Sequence, residues 1–450
     1  MPPAAHTQSS LIRDFPLRWL VFWLLVPNLA IILMWFVGGP PMTPALTLFA
    51  AVALVAAQVP WVWPKRIVLA GLIAYVSYYY VLVLFNLDTG KFDFLLPFIL
   101  EVKPFRSPEY IVAGVVLVGS IWLALAKAPQ VPRFSSPMSY LLAVLSIMGL
   151  LAADYMATQS TRSTYRRAPP VDAPFVSASM EAGIARPDAS QRHLVVVLVE
   201  AWGVPTGTQE QALFAADWDR PQWRQRYDVT AGEIPFYGST TSGELRELCN
   251  VRGDYADVAD FAADCLPARY RAAGYETRAY HGFSETLFQR DTWYPQIGFS
   301  DFTFRDGLTG QGVSHCSGVF AGSCDREVPA LIAEQLKAAE APQFVYFLTL
   351  NTHLPVMQDA SLDTLSCTLG EGDWAAENPQ LCRLFLLHRY LADEIDRLAM
   401  DPDLPPTDFL IVGDHFPPFF DRTDRSRFAA DVVPWVYLRH AEDGPELAGR

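Results

Sequence analysis

Three short stretches of this chain carry side chains that could do chemistry together. Residues 193–203, HLVVVLVEAWG, form an apolar run that ends on one carboxylate, Glu200. Residues 238–243, GSTTSG, form a hydroxyl-rich turn that opens a helical pattern at Glu244. Residues 408–413, DFLIVG, run straight into Asp414 and His415. Carboxylate and imidazole are ligand types for one divalent metal ion, Zn²⁺ or Mn²⁺, which makes Glu200, Asp414 and His415 candidate ligands. A threonine hydroxyl is a poor nucleophile until a metal or a base lowers its pKa. Thr241 at a helix N-terminus would join the ligands and be activated where the helix dipole favours an incoming anion. Thr240 is the rival nucleophile. A hydroxyl run before a helix is also an ordinary N-cap, and Asp-His after a strand an ordinary turn. The coincidence of all three in one region points to hydrolytic or transfer chemistry.

The elements that must position these groups are legible as well. A Val-rich run without alternation reads as a central strand of a parallel sheet, buried on both faces. Ligands of such sheets sit beyond the carboxyl ends of the strands, where Glu200 and Asp414 stand. Further strands are expected at 276–281, 344–350, 409–412 and 432–438, and helices at 266–273, 288–297 and 379–400. Pro267 suits a first helical turn and Gly274 a stop. Strands separated by helices predict an α/β domain with a mainly parallel sheet.

The 450 residues divide into two unlike parts. Residues 1–153 hold five apolar runs (17–37, 44–63, 67–85, 110–126 and 137–153), each near the roughly 20 residues that cross a bilayer. A cleavable signal peptide would not be followed by four more such runs, so the first is read as an anchor. Arg13, Arg18, Lys65, Arg66, Lys127 and Arg133 place one side of these spans in the cytoplasm. An odd number of spans then exports everything after Ala153. Residues 92–100, Phe-rich and too short to span, read as an interfacial piece or a plain loop. Residues 154–190, rich in Ser, Thr, Ala, Pro and Arg, read as a linker, and 191–450 as the exported domain.

Cys249, Cys265, Cys316, Cys324, Cys367 and Cys382 all fall in that exported domain. An even count there predicts disulfides in an oxidising compartment, with nearest-neighbour pairing the simplest arrangement. No C-x-x-C pair supports a zinc cluster. The net charge of −14 argues against a nucleic-acid partner. The spans contain almost no ionisable residues of the kind that mark a transport path.

The outer domain resembles the alkaline-phosphatase/sulfatase superfamily, specifically membrane phosphoglycerol and phosphoethanolamine transferases of the lipoteichoic acid synthase type. The stretches that carry the resemblance are VVVLVEAWG around Glu200, GSTTSGE around Thr241, AGYETRAYHGFSETLFQRDTWYPQIGF from Ala273, TLNTHLPV around His353, and VGDH at Asp414. Five spans ahead of an exported catalytic domain match that group in outline. The resemblance implies a single-metal site at Glu200, Thr241, Asp414 and His415, with Thr241 as nucleophile. It places substrate-holding residues at His281, Arg290 and His353. Arg290 would clamp phosphate through its planar fork, and the two histidines would donate to phosphate oxygens or protonate a leaving alkoxide. It further implies a bacterial inner membrane, a phospholipid donor and a glycan or lipid-linked acceptor. Phe283 and Phe288 stand where the lipoteichoic acid enzymes carry a polar residue and a tryptophan, which opens the question of head group. The residues after the metal pair, FPPF, depart from the ethanolamine transferases.

Two other readings stay open. Cys265-Leu266-Pro267-Ala268-Arg269 fits C-x-P-x-R, the pattern by which sulfatase cysteines become formylglycine, so a sulfatase or a phosphodiesterase is one alternative. A catalytically inactive envelope-assembly protein is the other.

Overall fold

A computed structural model describes residues 15–84, 101–161, 165, 174–187 and 190–441. The chain forms two compact units, one of Met1–Gly90 with Pro108–Tyr165 and one of Lys91–Ser107 with Arg166–Arg450. The expected interfacial piece at 92–100 lies outside the described residues.

Among the described residues of the first unit, four apolar helices are long enough to cross a membrane: Leu17–Met34, Val62–Leu84, Pro108–Gln130 and Pro137–Ala157. The second expected span is shorter than its apolar run. It folds as Thr43–Ala56, 14 residues, or about 21 Å against a hydrocarbon core of about 30 Å. Pro60 explains the difference, because a proline disfavours helical backbone in the residue before it. Asp154 is fully buried near the end of its helix. It accepts from Thr43 Oγ1 at 2.6 Å, the Met42 amide at 3.1 Å and Trp35 Nε1 at 3.0 Å. This buried acid therefore caps the start of the short helix.

Among the described residues, the second unit is built on nine strands: β1 (His193–Val199), β2 (Tyr227–Pro235), β3 (Glu276–His281), β4 (Asp301–Thr303), β5 (His315–Cys316), β6 (Gly322–Ser323), β7 (Gln343–Leu348), β8 (Thr407–Gly413) and β9 (Val432–His440). Seven form one sheet in the order β2-β9-β8-β1-β7-β3-β4, and β5 and β6 form a separate hairpin. β1 runs parallel to β8 and β7, as β3 does to β7 and β4, whereas β9 is antiparallel to β8 and to β2. Every residue of β1 is buried, as its unalternated sequence requires. Helices Val328–Ala338 and Pro379–Ala399 cover one face through Ile332, Leu336, Leu391 and Ile395, and pack with Val195, Val197, Phe347 and Ile411. The sheet is thus mixed but mainly parallel, as expected.

Disulfides join Cys249 to Cys265, Cys316 to Cys324 and Cys367 to Cys382, the nearest-neighbour pairing. The stretch read as a linker is structured at both ends. The last apolar helix continues to Ala157, and Ser179 docks on the helix Thr240–Cys249. There its amide donates to Glu247 Oε2 at 2.9 Å and its hydroxyl to the Glu247 carbonyl at 2.9 Å.

Candidate active site

Four neighbouring strands deliver the expected side chains to one sheet edge. β8 leads into Asp414 and His415, β1 into Glu200, β7 into the loop 349–353 that ends on His353, and β3 ends on His281. The turn after β1 needs Ala201 in the left-handed region, at φ 52°. It also needs a glycine at the end of β8, because a Cβ on Gly413 would stand 2.2 Å from the Trp202 carbonyl oxygen. The amide of Asp414 donates to the Val199 carbonyl at 3.1 Å, locking the two strand ends together.

Glu200, Asp414 and His415 are all buried, with one ligand atom from each within 4.8 Å of the others. His415 Nε2 lies 3.4 Å from Glu200 Oε1 and 3.3 Å from Asp414 Oδ2. His415 Nδ1–H donates to the Phe416 carbonyl at 3.0 Å, which turns the Nε2 lone pair toward the two acids. Asp414 Oδ1 accepts from the amides of Ala201 and His415, whereas Asp414 Oδ2 and Glu200 Oε1 are buried without a hydrogen-bond partner. Burial and then the Glu200 charge push the Asp414 carboxyl up to about 7. Burial pulls the His415 imidazole down, but Asp414 and Glu200 outweigh it and hold it above its ordinary value. Two orphaned carboxylate oxygens and an aimed imidazole lone pair are what a divalent cation would satisfy. The residues fit a metal.

The hydroxyl turn is not a cap. Ser239 occupies the N-cap position of the helix Thr240–Cys249 without a side-chain capping bond. Thr240 Oγ1 donates to Glu200 Oε2 at 3.1 Å, and Thr241, 6% exposed, has its Oγ1 3.3 Å from Ser239 Oγ. Of the two threonines, Thr240 therefore makes the direct contact with a candidate ligand carboxylate. A Cβ on Gly243 would meet Asp414 at 3.2 Å, so the first turn of this helix rests directly on the Asp414 backbone.

The three expected substrate residues divide. His281 and His353 are buried beside this edge or partly so, and each directs Nδ1 at a carbonyl, Leu348 at 3.0 Å and Leu354 at 2.9 Å. Burial and the Arg290 charge hold His281 well below its ordinary pKa, and burial takes His353 to about 4. Both are thus neutral, with Nδ1–H donating and the Nε2 lone pair left to accept a hydrogen bond. Arg290 is 2% exposed, with Nη2 2.7 Å from Glu244 Oε2 and Nε 3.1 Å from the same oxygen. Its fork is committed to Glu244, so the free phosphate clamp expected from the sequence is here half of a buried ion pair.

Several positioning residues carry no sequence signal of their own. Thr349 Oγ1 accepts from the Glu200 amide at 2.8 Å, and Thr352 Oγ1 donates to the Glu200 carbonyl at 2.6 Å. Asp325 Oδ2 accepts from the amides of Leu350 at 2.7 Å and Asn351 at 2.6 Å, fixing the loop that carries His353. Arg246 donates to the carbonyls of Gly413 and Asp414 at 2.6 and 3.2 Å. Only TLNTH hinted at any of these, through its two threonines. Cys265, bonded to Cys249, is not available as a formylglycine precursor, so that nucleophile is excluded.

A family model described as Sulfatase matches residues 253–428, a stretch that holds His281, Arg290, His353, Asp414 and His415 and begins after Glu200 and Thr241. The match bears out the superfamily resemblance read from the motifs. Comparison with curated proteins returns no match. Solved structures with similarity include the lipoteichoic acid synthase LtaP from Listeria monocytogenes, 15% identical with TM-score 0.42, over 58% of this chain and 68% of that one. The phosphoglycerol transferase GacH from Streptococcus pyogenes, in complex with sn-glycerol-1-phosphate, is 17% identical with TM-score 0.38, over 57% and 72%. The integral membrane lipooligosaccharide phosphoethanolamine transferase A (EptA) from Neisseria meningitidis is 14% identical with TM-score 0.45, over 88% and 81%.

Proposed function

We propose that this chain is a membrane-bound, metal-dependent transferase that moves a phospholipid head group, phosphoglycerol or phosphoethanolamine, onto an envelope glycan or lipid acceptor. The observation that carries this reading is the pair of threonine hydroxyls at a helix N-terminus beside three buried ligands whose carboxylate oxygens lack partners. A divalent cation held by Glu200, Asp414, His415 and Thr241 would lower the hydroxyl pKa and offset charge on the phosphate oxygens. Thr241 Oγ1 attacks phosphorus, the bond to the diacylglycerol oxygen breaks, and the threonine proton ends on the departing diacylglycerol. An acceptor hydroxyl then attacks the phosphorylated threonine and regenerates Thr241. The Nε2 lone pairs of His281 and His353 suit accepting hydrogen bonds from the hydroxyl groups that exchange these protons. Three disulfides support an oxidising compartment outside the cytoplasmic membrane of a bacterium. Export by parity also requires the short helix Thr43–Ala56 to count as a crossing.

The test is intact mass and peptide mapping after incubation with Zn²⁺ or Mn²⁺ and mixed phospholipid vesicles. A head-group adduct on Thr241, lost in Thr241→Ala and kept in Thr240→Ala, is expected. An adduct on Thr240 would move the nucleophile by one residue. Free head group released without any adduct would replace transfer by hydrolysis.

A further inference from the structure

The segment Lys91–Ser107 lies in sequence between two apolar helices, Val62–Leu84 and Pro108–Lys127, yet it belongs to the second unit. Its described part, from Glu101 on, is clamped there. Val102 pairs with Phe320 in an antiparallel bridge, and the Lys103 amide donates to the Val319 carbonyl at 2.8 Å. Glu101 receives a two-pronged ion pair from Arg305, at 2.6 and 3.2 Å. Both anchor points belong to an aromatic wall beside the candidate site. The Phe320 ring lies 3.9 Å from that of His353, and Phe283 packs edge-on to Phe320 at 6.1 Å and to His281 at 6.5 Å. The Arg305 guanidinium lies 5.9 Å from the centre of the Phe283 ring.

Beyond the clamp, residues 103–106, KPFR, are all exposed, with Phe105 at 86%. Arg106 makes a surface ion pair with Asp359 at 3.4 Å that leaves its side chain half exposed. An exposed phenylalanine flanked by two cations matches the chemistry of an anionic phospholipid surface, where the ring enters the interface and phosphates compete for the cations. Chain length makes the same point, because Phe105 is three residues from Pro108 and so within about 10 Å of it. We propose that Lys103–Arg106 is a lipid-contacting strap, and that its clamp through Glu101 and Val102 ties it to the His281–His353 wall. This rests on the proposed lipid donor for its purpose, and the strap can be tested without that activity.

All six native cysteines are in disulfides, so a single Phe105→Cys in the full chain can carry a nitroxide label. In vesicles containing anionic phospholipid, the label is expected to be reached by oxygen and shielded from a water-soluble nickel relaxant. A label at Leu365, 62% exposed in the second unit, is the aqueous control. Aqueous behaviour at both positions would overturn the strap whatever the enzyme does. The clamp is read from a ratio, turnover of donor in vesicles over cleavage of a soluble aryl phosphodiester. Lys103→Glu with Arg106→Glu should lower that ratio about tenfold at low salt. Glu101→Arg, which sets like charges against Arg305, should lower it by a similar factor. An unchanged ratio in Glu101→Arg would reduce the segment to a plain loop. Absence of both activities would refute the proposed function and leave the depth measurement to decide the strap.

Discussion

Whether Arg290 serves the substrate or the scaffold is decided by removing the charge of its partner. Glu244 is fully buried and receives Arg290 through Nε and Nη2, the Tyr294 hydroxyl, and the Tyr346 hydroxyl at 3.4 Å. Glu244→Gln keeps the shape of the side chain but leaves a guanidinium buried with no counter-charge. Breaking a buried pair from one side costs about 3–5 kcal/mol, because the surviving ion has neither water nor a partner. For a domain of this size each kcal/mol moves Tm by roughly 2–4 °C, so a fall of about 10 °C is expected. The assay is near-ultraviolet circular dichroism of the full chain in detergent, since Trp293 and Tyr294 report on this core. Replacing both partners, Glu244→Leu with Arg290→Met, should recover most of the loss, and the double-mutant cycle gives the coupling directly. A Glu244→Gln protein with unchanged Tm and no turnover would refute the scaffold assignment and return Arg290 to the substrate.

Two further outcomes follow from buried acids. Burial raises the Asp325 carboxyl to about 7, against about 3.9 in an unfolded chain. The folded state therefore keeps a proton that the unfolded state sheds. The stability this contributes is full below about pH 4, declines as pH rises, and is gone above about pH 7. Asp325→Asn cannot titrate and still accepts both loop amides, so it should flatten the Tm-versus-pH curve over that window and gain on the order of 2–4 kcal/mol at pH 8. An unchanged pH profile would show that Asp325 is ionised in the fold. Zn²⁺ or Mn²⁺ at about a hundred times its Kd should stabilise the chain by roughly 2.7 kcal/mol, read as a rise in Tm. Asp414→Asn should abolish that rise, and a rise that survives would place the ion elsewhere.

The parts of the fold that the sequence disclosed are those where one local pattern decides the outcome. β1, β7 and β8 are apolar without alternation because both their faces are covered, and two of the three candidate metal ligands, Glu200 and Asp414, are the first polar residue after such a run. β2 escaped notice because Asp228, Gly232 and Glu233 lie in it, and only its pairing with β9 makes it a strand. The helix expected at 288–297 begins at Arg290, since Phe288 and Gln289 take left-handed backbone, which nothing local requires. Arg290 looked like a clamp because its partner, Glu244, lies 46 residues away. Thr349, Thr352 and Asp325 act through backbone groups brought to them by the sheet, so composition and spacing could not single them out. The run 44–63 promised a full crossing because hydropathy does not register where a proline ends a helix.

The order β8-β1-β7-β3 has a consequence for how such a protein changes over evolutionary time. Strands lie about 4.8 Å apart, so the candidate groups form a row about 14 Å long, with the charge-handling end at Asp414 and the far end at His281. The candidate metal end is built on β1 and the two parallel strands that flank it, β8 and β7, whose buried residues leave little freedom to vary. The far end opens onto loops after β3 and around Phe320, which carry Phe283, Phe288 and the segment from Glu101 to Ser107. Under the proposed function, chemistry and selectivity would be modular: drift in one set of loops would exchange the head group accepted while the phosphorus-handling end stays as it is.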